Sequence, residues 1–493
     1  MLPVPGTNLS QRGYGIPKDG RPLEELDAIK KELTVQPVVN QAMLGNVQPP
    51  TFRLYMESSK KLYVPKYYGL CKYGVPEAVT VPEGADLDLA FRGSLRDEQR
   101  VPMDKFLKAC KDPMKMGGII SISCGGGKTV LGLYAVAALR KKTMIIVHKD
   151  FLLGQWKERI EEFLPDARVG LIKAKTIDVQ DKDIVIASLQ SLSMKDYDKG
   201  VFADIGFVII DEVHRTGTEV FSNALHKINF RYALGLSATV QRKDGLAKVF
   251  KWFIGDVVYK KKRTEDGVLV KVCHFYDPDP IYSKEEVIYN GKLNLSRMIN
   301  NVCDFHPRVQ YIVDIIKRVM TESEMTRKIL ILSDRKAHLA SIKELLEHQA
   351  PHITSGFYIG GMKQADLKES ETRHIILATF SFASEGFDAK DLDTLILASP
   401  KTDIEQSVGR ILRQRENERK HQPIIFDVVD RFSMFERQGK KRLAYYKKLK
   451  YVVSTYLDRE NADEDEDGDV SNESSSGDGK RKPGCLIVDE DDP

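Results

Sequence analysis

The sequence has few cysteines, no signal-like N-terminus and no long apolar run, and each shortage excludes a class of protein. The six cysteines form no Cys-x-x-Cys pair and follow no regular spacing, so we expect reduced thiols in an intracellular protein, not a disulfide framework or a zinc site. The longest apolar stretch, residues 130–139, is about half of what a membrane span requires. With 42% apolar and 30% charged residues, the composition is that of a soluble globular protein. It excludes a collagen, a mostly disordered chain and a membrane protein.

Charge is unevenly distributed along the chain. The net charge of the whole sequence is +4, but residues 460–493 contain thirteen acidic and three basic residues and carry −10, which leaves +14 on residues 1–459. Because the acidic segment is rich in Ser and Gly and poor in apolar residues, we expect it to be a disordered tail. The basic body favours a polyanionic partner, although a Lys-rich soluble surface would carry the same charge.

Short β-branched runs alternate with helical stretches twice, first from residue 117 and again from about residue 325. This alternation predicts two α/β domains, each a parallel sheet covered by helices on both faces. Ahead of them we expect a partly ordered arm with one helix at 22–33, then a small β-rich unit over 51–90. The predicted divisions are an N-terminal arm and module (1–90), a first lobe (91–260), an inter-lobe connection (261–325), a second lobe (326–458) and the acidic tail (459–493).

A glycine-rich loop follows the first strand of the first lobe and opens a helix, which is the setting of a phosphate loop. Its sequence is Ser123-Cys124-Gly125-Gly126-Gly127-Lys128-Thr129. Three glycines allow backbone N–H groups to approach a phosphate, and the helix N-terminus adds positive potential. We predict that Lys128 reaches the β- and γ-phosphates and that the Thr129 hydroxyl binds Mg²⁺. The full pattern has Gly where this chain has Ile122, so a flexible loop without a ligand is the alternative.

An acidic pair follows the apolar run 207–210, and it is the second signal. A carboxylate at the carboxyl end of a buried strand is placed to meet a metal at the phosphate loop. We therefore predict that Asp211 binds Mg²⁺ and that Glu212 orients and deprotonates the attacking water. Taken alone, such a pair is usually a strand end with solvated charges.

Arg410 and Arg413 are the third signal, because a spacing of three residues places both on one face of a predicted helix. Arginine suits the charge that develops on a phosphoryl group in transfer. If the second lobe supplies this pair to an ATP that the first lobe holds, hydrolysis requires lobe closure. A surface salt bridge is the alternative.

These motifs, together with Ser237-Ala238-Thr239 and the segment 406–413, resemble superfamily 2 helicases and translocases over about residues 91–455. Within that superfamily the chain resembles the XPB-like group and the helicases of large DNA viruses, which are associated with viral transcription. The resemblance implies two RecA-like lobes in tandem, ATP and Mg²⁺ as cofactors, a nucleic-acid partner and a partner in the transcription machinery. It also implies that Ser237 and Thr239 link hydrolysis to strand movement.

The resemblance assigns further roles residue by residue. Gln99 resembles the glutamine that reads adenine, which an amide can do through two hydrogen bonds. The residues implied to bind nucleotide besides Lys128 and Thr129 are Gln99, Cys124, Gly125, Gly126, Gly127, Gly386 and Asp388. Gln406 joins Arg410 and Arg413 in the implied catalytic set. The residues implied to contact nucleic acid are His148, Lys149, Gln155, Trp156, Ser188 and Thr379.

Residues 437–450 contain seven Lys and Arg, no acidic residue and two adjacent tyrosines. Basic side chains neutralise phosphates without reading sequence, and aromatic rings stack on bases. We therefore expect Lys440, Lys441 and Arg442 to contact a nucleic-acid backbone, with the tyrosines packed partly inward. A solvated amphipathic helix is the alternative.

The combined prediction is a DExH-type ATP-dependent helicase or translocase that moves along DNA through backbone contacts, in transcription or repair. One alternative is a duplex DNA translocase that displaces proteins or transcripts without unwinding. Another is an RNA helicase, since no residue tests for a 2′-hydroxyl. A non-enzymatic clamp is the third. The residues that argue against it are Lys128, Asp211, Glu212, Arg410 and Arg413, all of which are intact.

Overall fold

The computed structural model of the protein describes residues 3–38, 51–122, 126–198, 200–215, 219–228, 230–240, 242, 244–261, 267–289, 291–386, 391–409 and 419–456. These residues build a five-stranded N-terminal sheet, an eight-stranded sheet and a seven-stranded sheet. The two larger sheets are predominantly parallel and carry helices between their strands, which confirms the predicted pair of α/β lobes in tandem. The acidic tail lies outside the described residues.

The N-terminal module is a sheet in the strand order β5–β6–β2–β1–β7. Its elements are β1 (Val4–Ser10), β2 (Gly13–Pro17), a helix at Leu23–Glu32, the two-stranded ribbon β3 (Thr34–Val35) and β4 (Phe52–Arg53), β5 (Met56–Glu57), β6 (Lys61–Val64), a helix at Lys66–Tyr73, and β7 (Pro76–Val79). The helix at Leu23–Glu32 confirms the predicted helical stretch. The first strands are part of the sheet and not of an arm, because Tyr14 and Ile16 are fully buried in its core.

The N-terminal module packs directly on the first lobe, and the two share one apolar cluster. The Tyr67 hydroxyl donates to the Met116 carbonyl at 3.3 Å, and the Lys66 ammonium donates to the Arg231 carbonyl at 2.5 Å. Tyr68 meets Trp252 edge to face, with 5.3 Å between ring centroids. Because the shared core is continuous, the module and the first lobe form one packed unit.

The first lobe is a sheet in the order β11–β10–β12–β9–β13–β14–β8–β15, in which every pair is parallel except the edge hairpin β10–β11. The strands are β8 (Gly117–Ser121), β9 (Thr143–Val147), β10 (Val169–Lys173), β11 (Thr176–Ile177), β12 (Ile184–Ser188), β13 (Phe207–Ile210), β14 (Tyr232–Ser237) and β15 (Val257–Lys260). The helices are Asp97–Lys111, Lys128–Leu139, Asp150–Phe163, Leu189–Met194, Glu219–Leu225 and Ala247–Ile254. The parallel arrangement brings the carboxyl ends of β8, β9, β12 and β13 to one edge of the sheet.

The second lobe is an all-parallel sheet in the order β18–β19–β17–β20–β21–β16–β22. The strands are β16 (Leu269–Phe275), β17 (Ile329–Ser333), β18 (Ser355–Tyr358), β19 (Ile375–Thr379), β20 (Thr394–Leu397), β21 (Ile424–Asp430) and β22 (Val452–Thr455). The helices are Pro280–Ser283, Leu295–Asp304, His306–Glu322, Lys336–Gln349, Gln364–Ser370, Phe380–Gly386, Glu405–Val408 and Ser433–Lys448.

Most of the segment 261–325, predicted as an inter-lobe connection, belongs to the second lobe. β16 lies between β21 and β22 in its sheet, and the helix His306–Glu322 buries Ile312 and Ile316 in the same cluster as β17. The prediction of a connection was wrong there because the strand and helix in this segment are apolar enough to complete the sheet and cover it.

The two lobes touch through their helices. The rings of Phe151 and Phe382 lie 5.7 Å apart between centroids, and the Lys368 ammonium lies 3.5 Å from the Glu158 carboxylate. In the part of the chain that is described, no helix is both long enough and apolar enough to cross a bilayer.

Candidate functional site

The phosphate-loop helix, Lys128–Leu139, begins directly after a glycine with a left-handed backbone. Gly127 has φ 79°, and a Cβ built on it would lie 2.1 Å from the Gln99 amide nitrogen. A side chain at this position would therefore be both strained and too close to Gln99. Gly126 and Gly127 are described, whereas Cys124 and Gly125 lie outside the described residues. The helix N-terminus that follows supplies the positive potential expected of an anion site.

Gln99 is buried against this loop. Its amide nitrogen donates to the Gly126 carbonyl at 3.3 Å, and its amide oxygen accepts from the Arg96 backbone N–H at 3.0 Å. Gln99 thereby ties the start of the helix Asp97–Lys111 to the phosphate loop. Its contact with adenine stays a prediction.

The acidic pair follows β13 at the same edge of the sheet. The Asp211 carboxylate accepts from the Glu212 backbone N–H at 2.9 Å through Oδ1 and from the Trp156 indole N–H at 3.0 Å through Oδ2. Burial, and then the nearby negative charge of Glu212, raise the pKa of Asp211 to about 6. Glu212 has φ 48°, a left-handed conformation that is uncommon for a residue with a side chain.

The structure joins the first two signals into one site. The Lys128 ammonium lies 2.6 Å from Glu212 Oε1, and both side chains are largely buried. The two residues are 84 positions apart in the sequence, and the parallel sheet brings them together. The contact places the lysine that is predicted to bind phosphate beside the carboxylate that is predicted to orient water.

An open cleft lies between the lobes and is lined by three of the residues expected to contact nucleic acid. His148 and Lys149 follow β9, and Ser188 ends β12, so the parallel sheet brings them to the same edge. Gly361 and Met362 line the cleft from the second lobe. The cleft therefore combines backbone, hydroxyl and basic groups that are suited to a phosphate chain.

Comparison with known proteins decides the family. The profile of the type III restriction enzyme res subunit matches residues 92–242, and that of the helicase conserved C-terminal domain matches residues 308–415. The L396 protein of Acanthamoeba polyphaga mimivirus, named as an ATP-dependent RNA helicase, is 35% identical over 459 residues, covering 91% of this chain and 87% of the relative. The chain belongs to the superfamily 2 helicases of large DNA viruses.

The helicase is also similar to a second viral protein and to one solved structure. The 161L protein of Invertebrate iridescent virus 6, named as a helicase, is 26% identical over 385 residues, covering 74% of this chain and 84% of the relative. The crystal structure of T4 UvsW aligns with 16% identity and a TM-score of 0.35 over 88% of this chain and 96% of that one.

The helicase has a chain of contacts from its acidic pair to Ser237. The His214 ring nitrogen Nδ1 lies 3.3 Å from Glu212 Oε2 and 2.9 Å from Ser237 Oγ. The Thr239 backbone N–H donates to Ser237 Oγ at 3.3 Å, and the Arg242 guanidinium donates to the His214 carbonyl. Sequence reasoning assigned no role to His214 or Arg242. His214 follows the acidic pair by two residues, but its contact with Ser237 is apparent only from the fold.

The donor set at the loop fits ATP with Mg²⁺. Thr129 offers a hydroxyl in the first turn of its helix, and Asp211 offers a carboxylate, which are the oxygen ligands that Mg²⁺ prefers. Among the described residues no group of three or more His, Cys, Asp and Glu side chains could hold a metal by itself. An ion held by Thr129 and Asp211 would take its remaining ligands from the phosphates of a nucleotide and from water.

Trp156 is not at the nucleic-acid surface of this helicase. Its side chain is 1% exposed and bonds to Asp211, so the prediction that it contacts a strand was wrong. Gln155, its neighbour, is half-buried and does not line the cleft, whereas Gln190 does. Sequence reasoning missed Gln190, whose amide nitrogen donates to the His148 carbonyl at 3.1 Å and whose amide oxygen accepts from the Ser188 hydroxyl at 3.1 Å.

Arg442 was predicted to contact a nucleic-acid backbone, and this prediction was wrong because its guanidinium is buried. It binds both carboxylate oxygens of Asp427 at 2.9 Å, and the buried Tyr446 hydroxyl donates to the same carboxylate at 3.0 Å. Residue 442 lies on the inner face of the helix Ser433–Lys448, while Lys440 and Lys441 are exposed. The basic surface expected on this helix is therefore smaller by one charge.

The remaining predicted residues lie in the second lobe. Thr379 ends β19 and is 9% exposed, Gly386 ends the helix Phe380–Gly386, and Gln406 lies in the helix Glu405–Val408. Asp388, Arg410 and Arg413 lie outside the described residues. Their predicted roles stay predictions.

Proposed function

We propose that this helicase is a DExH-type motor that couples ATP hydrolysis between its lobes to movement along DNA. The observation that carries the proposal is the Lys128–Glu212 contact at the sheet edge that also forms the inter-lobe cleft. The proposed ATP site and the proposed nucleic-acid contacts then lie at the carboxyl ends of the same β-sheet. Any change in lobe spacing acts on both, which is what a motor requires.

Each residue of the proposed nucleotide site has a distinct task. Lys128 binds the β- and γ-phosphates, and Thr129 and Asp211 hold Mg²⁺. The bound ion neutralises charge on the phosphates. Glu212 orients the attacking water and accepts its proton. Gln99 binds adenine. Gln406, Arg410 and Arg413 have the proposed task of stabilising the charge on the γ-phosphate during hydrolysis.

The proposed strand path uses contacts that are indifferent to base sequence. His148, Lys149 and Ser188 bind successive phosphates in the cleft, with Thr379 on the second lobe and Lys440 and Lys441 extending the basic surface. Movement along a strand requires such indifference, because every step must be energetically equivalent. A role in transcription or repair, with a partner in the transcription machinery, accords with the XPB-like motifs.

Two other functions are favoured by specific observations. The mimivirus relative is named as an RNA helicase, which favours RNA as the strand. The proposed contacts of His148, Lys149 and Ser188 reach phosphates and not base edges, and a translocase on intact duplex DNA would use the same contacts.

Steady-state ATP hydrolysis by the purified full chain tests these functions. Rates are measured without polymer and with single-stranded DNA, duplex DNA or single-stranded RNA, and Lys128→Ala controls for contaminating hydrolysis. We expect single-stranded DNA to stimulate ATP hydrolysis more than the other polymers. We also expect the protein to unwind a forked DNA substrate. Stimulation by RNA alone would establish the RNA helicase, and stimulation by duplex without unwinding would establish the duplex translocase. Hydrolysis that no polymer changes would overturn the motor.

A further inference from the structure

We propose that Trp156 is a positioning residue that transmits nucleic-acid binding in the cleft to the Asp211 carboxylate. This inference rests on the proposed function, because it takes the cleft as the strand path and Asp211 as the Mg²⁺ ligand. It is carried by the placement of one helix, Asp150–Phe163, whose two faces touch the two sites.

The inner face of this helix reaches the nucleotide site through a single hydrogen bond. The indole N–H of Trp156 donates to Asp211 Oδ2 at 3.0 Å, and the side chain is almost completely buried. An indole nitrogen is only a donor, so it makes one directed bond. The Glu212 backbone N–H donates to Oδ1 at 2.9 Å, so the two hydrogen bonds together fix the rotation of the carboxylate, and the indole holds its Oδ2 side.

The indole is also pressed against the phosphate-loop helix. A Cβ added at Gly132 would lie 3.0 Å from Trp156 Cη2, which is closer than most real contacts. The glycine thus leaves room for the ring between two parts of the nucleotide site, the loop helix and the strand end of β13. A shift of the indole toward this helix would therefore press on the backbone at Gly132.

The outer face of the same helix borders the cleft and the second lobe. His148 and Lys149 immediately precede the helix, and Asp150 and Phe151 line the cleft with them. The Phe151 ring lies 5.7 Å from the Phe382 ring of the second lobe.

Trp156 follows Phe151 by five residues, which is about 7.5 Å along a helix axis. When a nucleic-acid strand binds in the cleft and draws Lys149 and Phe151 toward the second lobe, the indole N–H therefore moves relative to Asp211. The rigid helix carries the displacement, and the hydrogen bond converts it into a change at the metal ligand.

The two tryptophans of the chain allow a matched test. Trp156→Phe removes the donor and keeps an aromatic ring, whereas Trp252→Phe removes the other indole, which packs on Tyr68 at the N-terminal module. We expect Trp156→Phe to lower polymer-stimulated kcat about tenfold and to raise the Mg²⁺ concentration for half-activation several-fold. The dissociation constant for single-stranded DNA, measured by anisotropy, stays within about twofold. A defect of packing alone would not separate kcat from strand affinity in this way.

The Trp252→Phe protein supplies a second readout that does not depend on the folding of Trp156→Phe. Trp156 is then the sole tryptophan, and we expect its emission to shift when single-stranded DNA binds in the absence of ATP. An unchanged emission on binding, together with full stimulation of Trp156→Phe, would overturn the inference and leave the motor intact. If Trp252→Phe and the unmodified chain bind no polymer, the proposed function fails and the inference with it.

Discussion

The Lys128 ammonium and the Glu212 carboxylate lie 2.6 Å apart, which joins the phosphate-loop helix to the turn that follows β13. The second oxygen of Glu212 lies 3.3 Å from the His214 ring, so the carboxylate lies between Lys128 and His214. A γ-phosphate that binds Lys128 would compete with Glu212 for its charge. We therefore expect nucleotide binding to release Glu212 for its role in orienting water.

Substitution of Lys128 by alanine tests the phosphate loop. We expect Lys128→Ala to lower kcat at least about 100-fold, because it removes a charge aimed at the transferring phosphoryl group. Affinity for single-stranded DNA should stay within about twofold, since the strand path lies in the cleft. Lys31→Ala, an exposed lysine on the helix Leu23–Glu32, is the matched control. Near-normal ATPase in Lys128→Ala would remove the loop from the site.

Substitution of Glu212 by glutamine separates binding from chemistry. The amide retains the shape of the side chain but cannot accept the water proton, so we expect hydrolysis to fall by about 10²–10⁴-fold. Binding of ATP should be retained or strengthened, because Lys128 loses its anionic partner. Equilibrium nucleotide binding and single-turnover hydrolysis measure the two effects, with Glu219→Gln as the control. Equal losses in binding and in hydrolysis would contradict the assigned role.

Arg410 tests the contribution of the second lobe. We expect Arg410→Ala to bind ATP normally and to hydrolyse it about 10³-fold more slowly, as loss of an arginine that stabilises the transferring phosphoryl group does. Arg410→Lys should recover only part of the rate, because an ammonium cannot reproduce the planar fork of a guanidinium. Wild-type turnover in Arg410→Ala would exclude the residue from the active site.

Arg442 and its exposed neighbours should respond in opposite ways. Removal of the guanidinium in Arg442→Met leaves the buried Asp427 without its cation, and we expect a loss of about 3–5 kcal/mol in the free energy of unfolding of the second lobe. The double variant Lys440→Ala, Lys441→Ala should leave stability within about 0.5 kcal/mol. It should instead flatten the salt dependence of strand binding. Chemical denaturation and binding titrations at several salt concentrations distinguish the two. A stable Arg442→Met protein with weakened strand binding would instead place Arg442 at the nucleic-acid surface.

His338 predicts an acid-dependent loss of stability. Burial, and then the charge of Arg308, lower the pKa of His338 from 6.5 to about 3, so the folded protein keeps the imidazole neutral. Unfolded chains take up the proton below pH 6.5, and the stability that is present above that pH is lost as the pH falls toward 3. His338→Gln should reduce this slope by up to about 1.4 kcal/mol per pH unit. Thermal unfolding between pH 4 and 7 measures it, and His352→Gln, an exposed histidine, should leave the slope unchanged.

The sequence alone determined the features that depend on local pattern. The alternation of apolar runs and helices predicts two parallel-sheet lobes, because a strand buried on both faces needs β-branched residues whatever surrounds it. The glycine loop ahead of Lys128 and the acidic pair after β13 are likewise local, since each is defined by the strand end that precedes it. The order of the motifs along the chain is also sufficient to indicate the superfamily.

Tertiary structure alone decided which charged and aromatic side chains face inward. Trp156 and Arg442 were predicted to contact nucleic acid, but both side chains are buried. Each is hydrogen-bonded to a carboxylate from another element of the fold, Trp156 to Asp211 and Arg442 to Asp427. The same applies to β16, which belongs to the second lobe because β21 and β22 flank it. Burial of a polar group depends on a partner distant in the chain, and no local pattern specifies that partner.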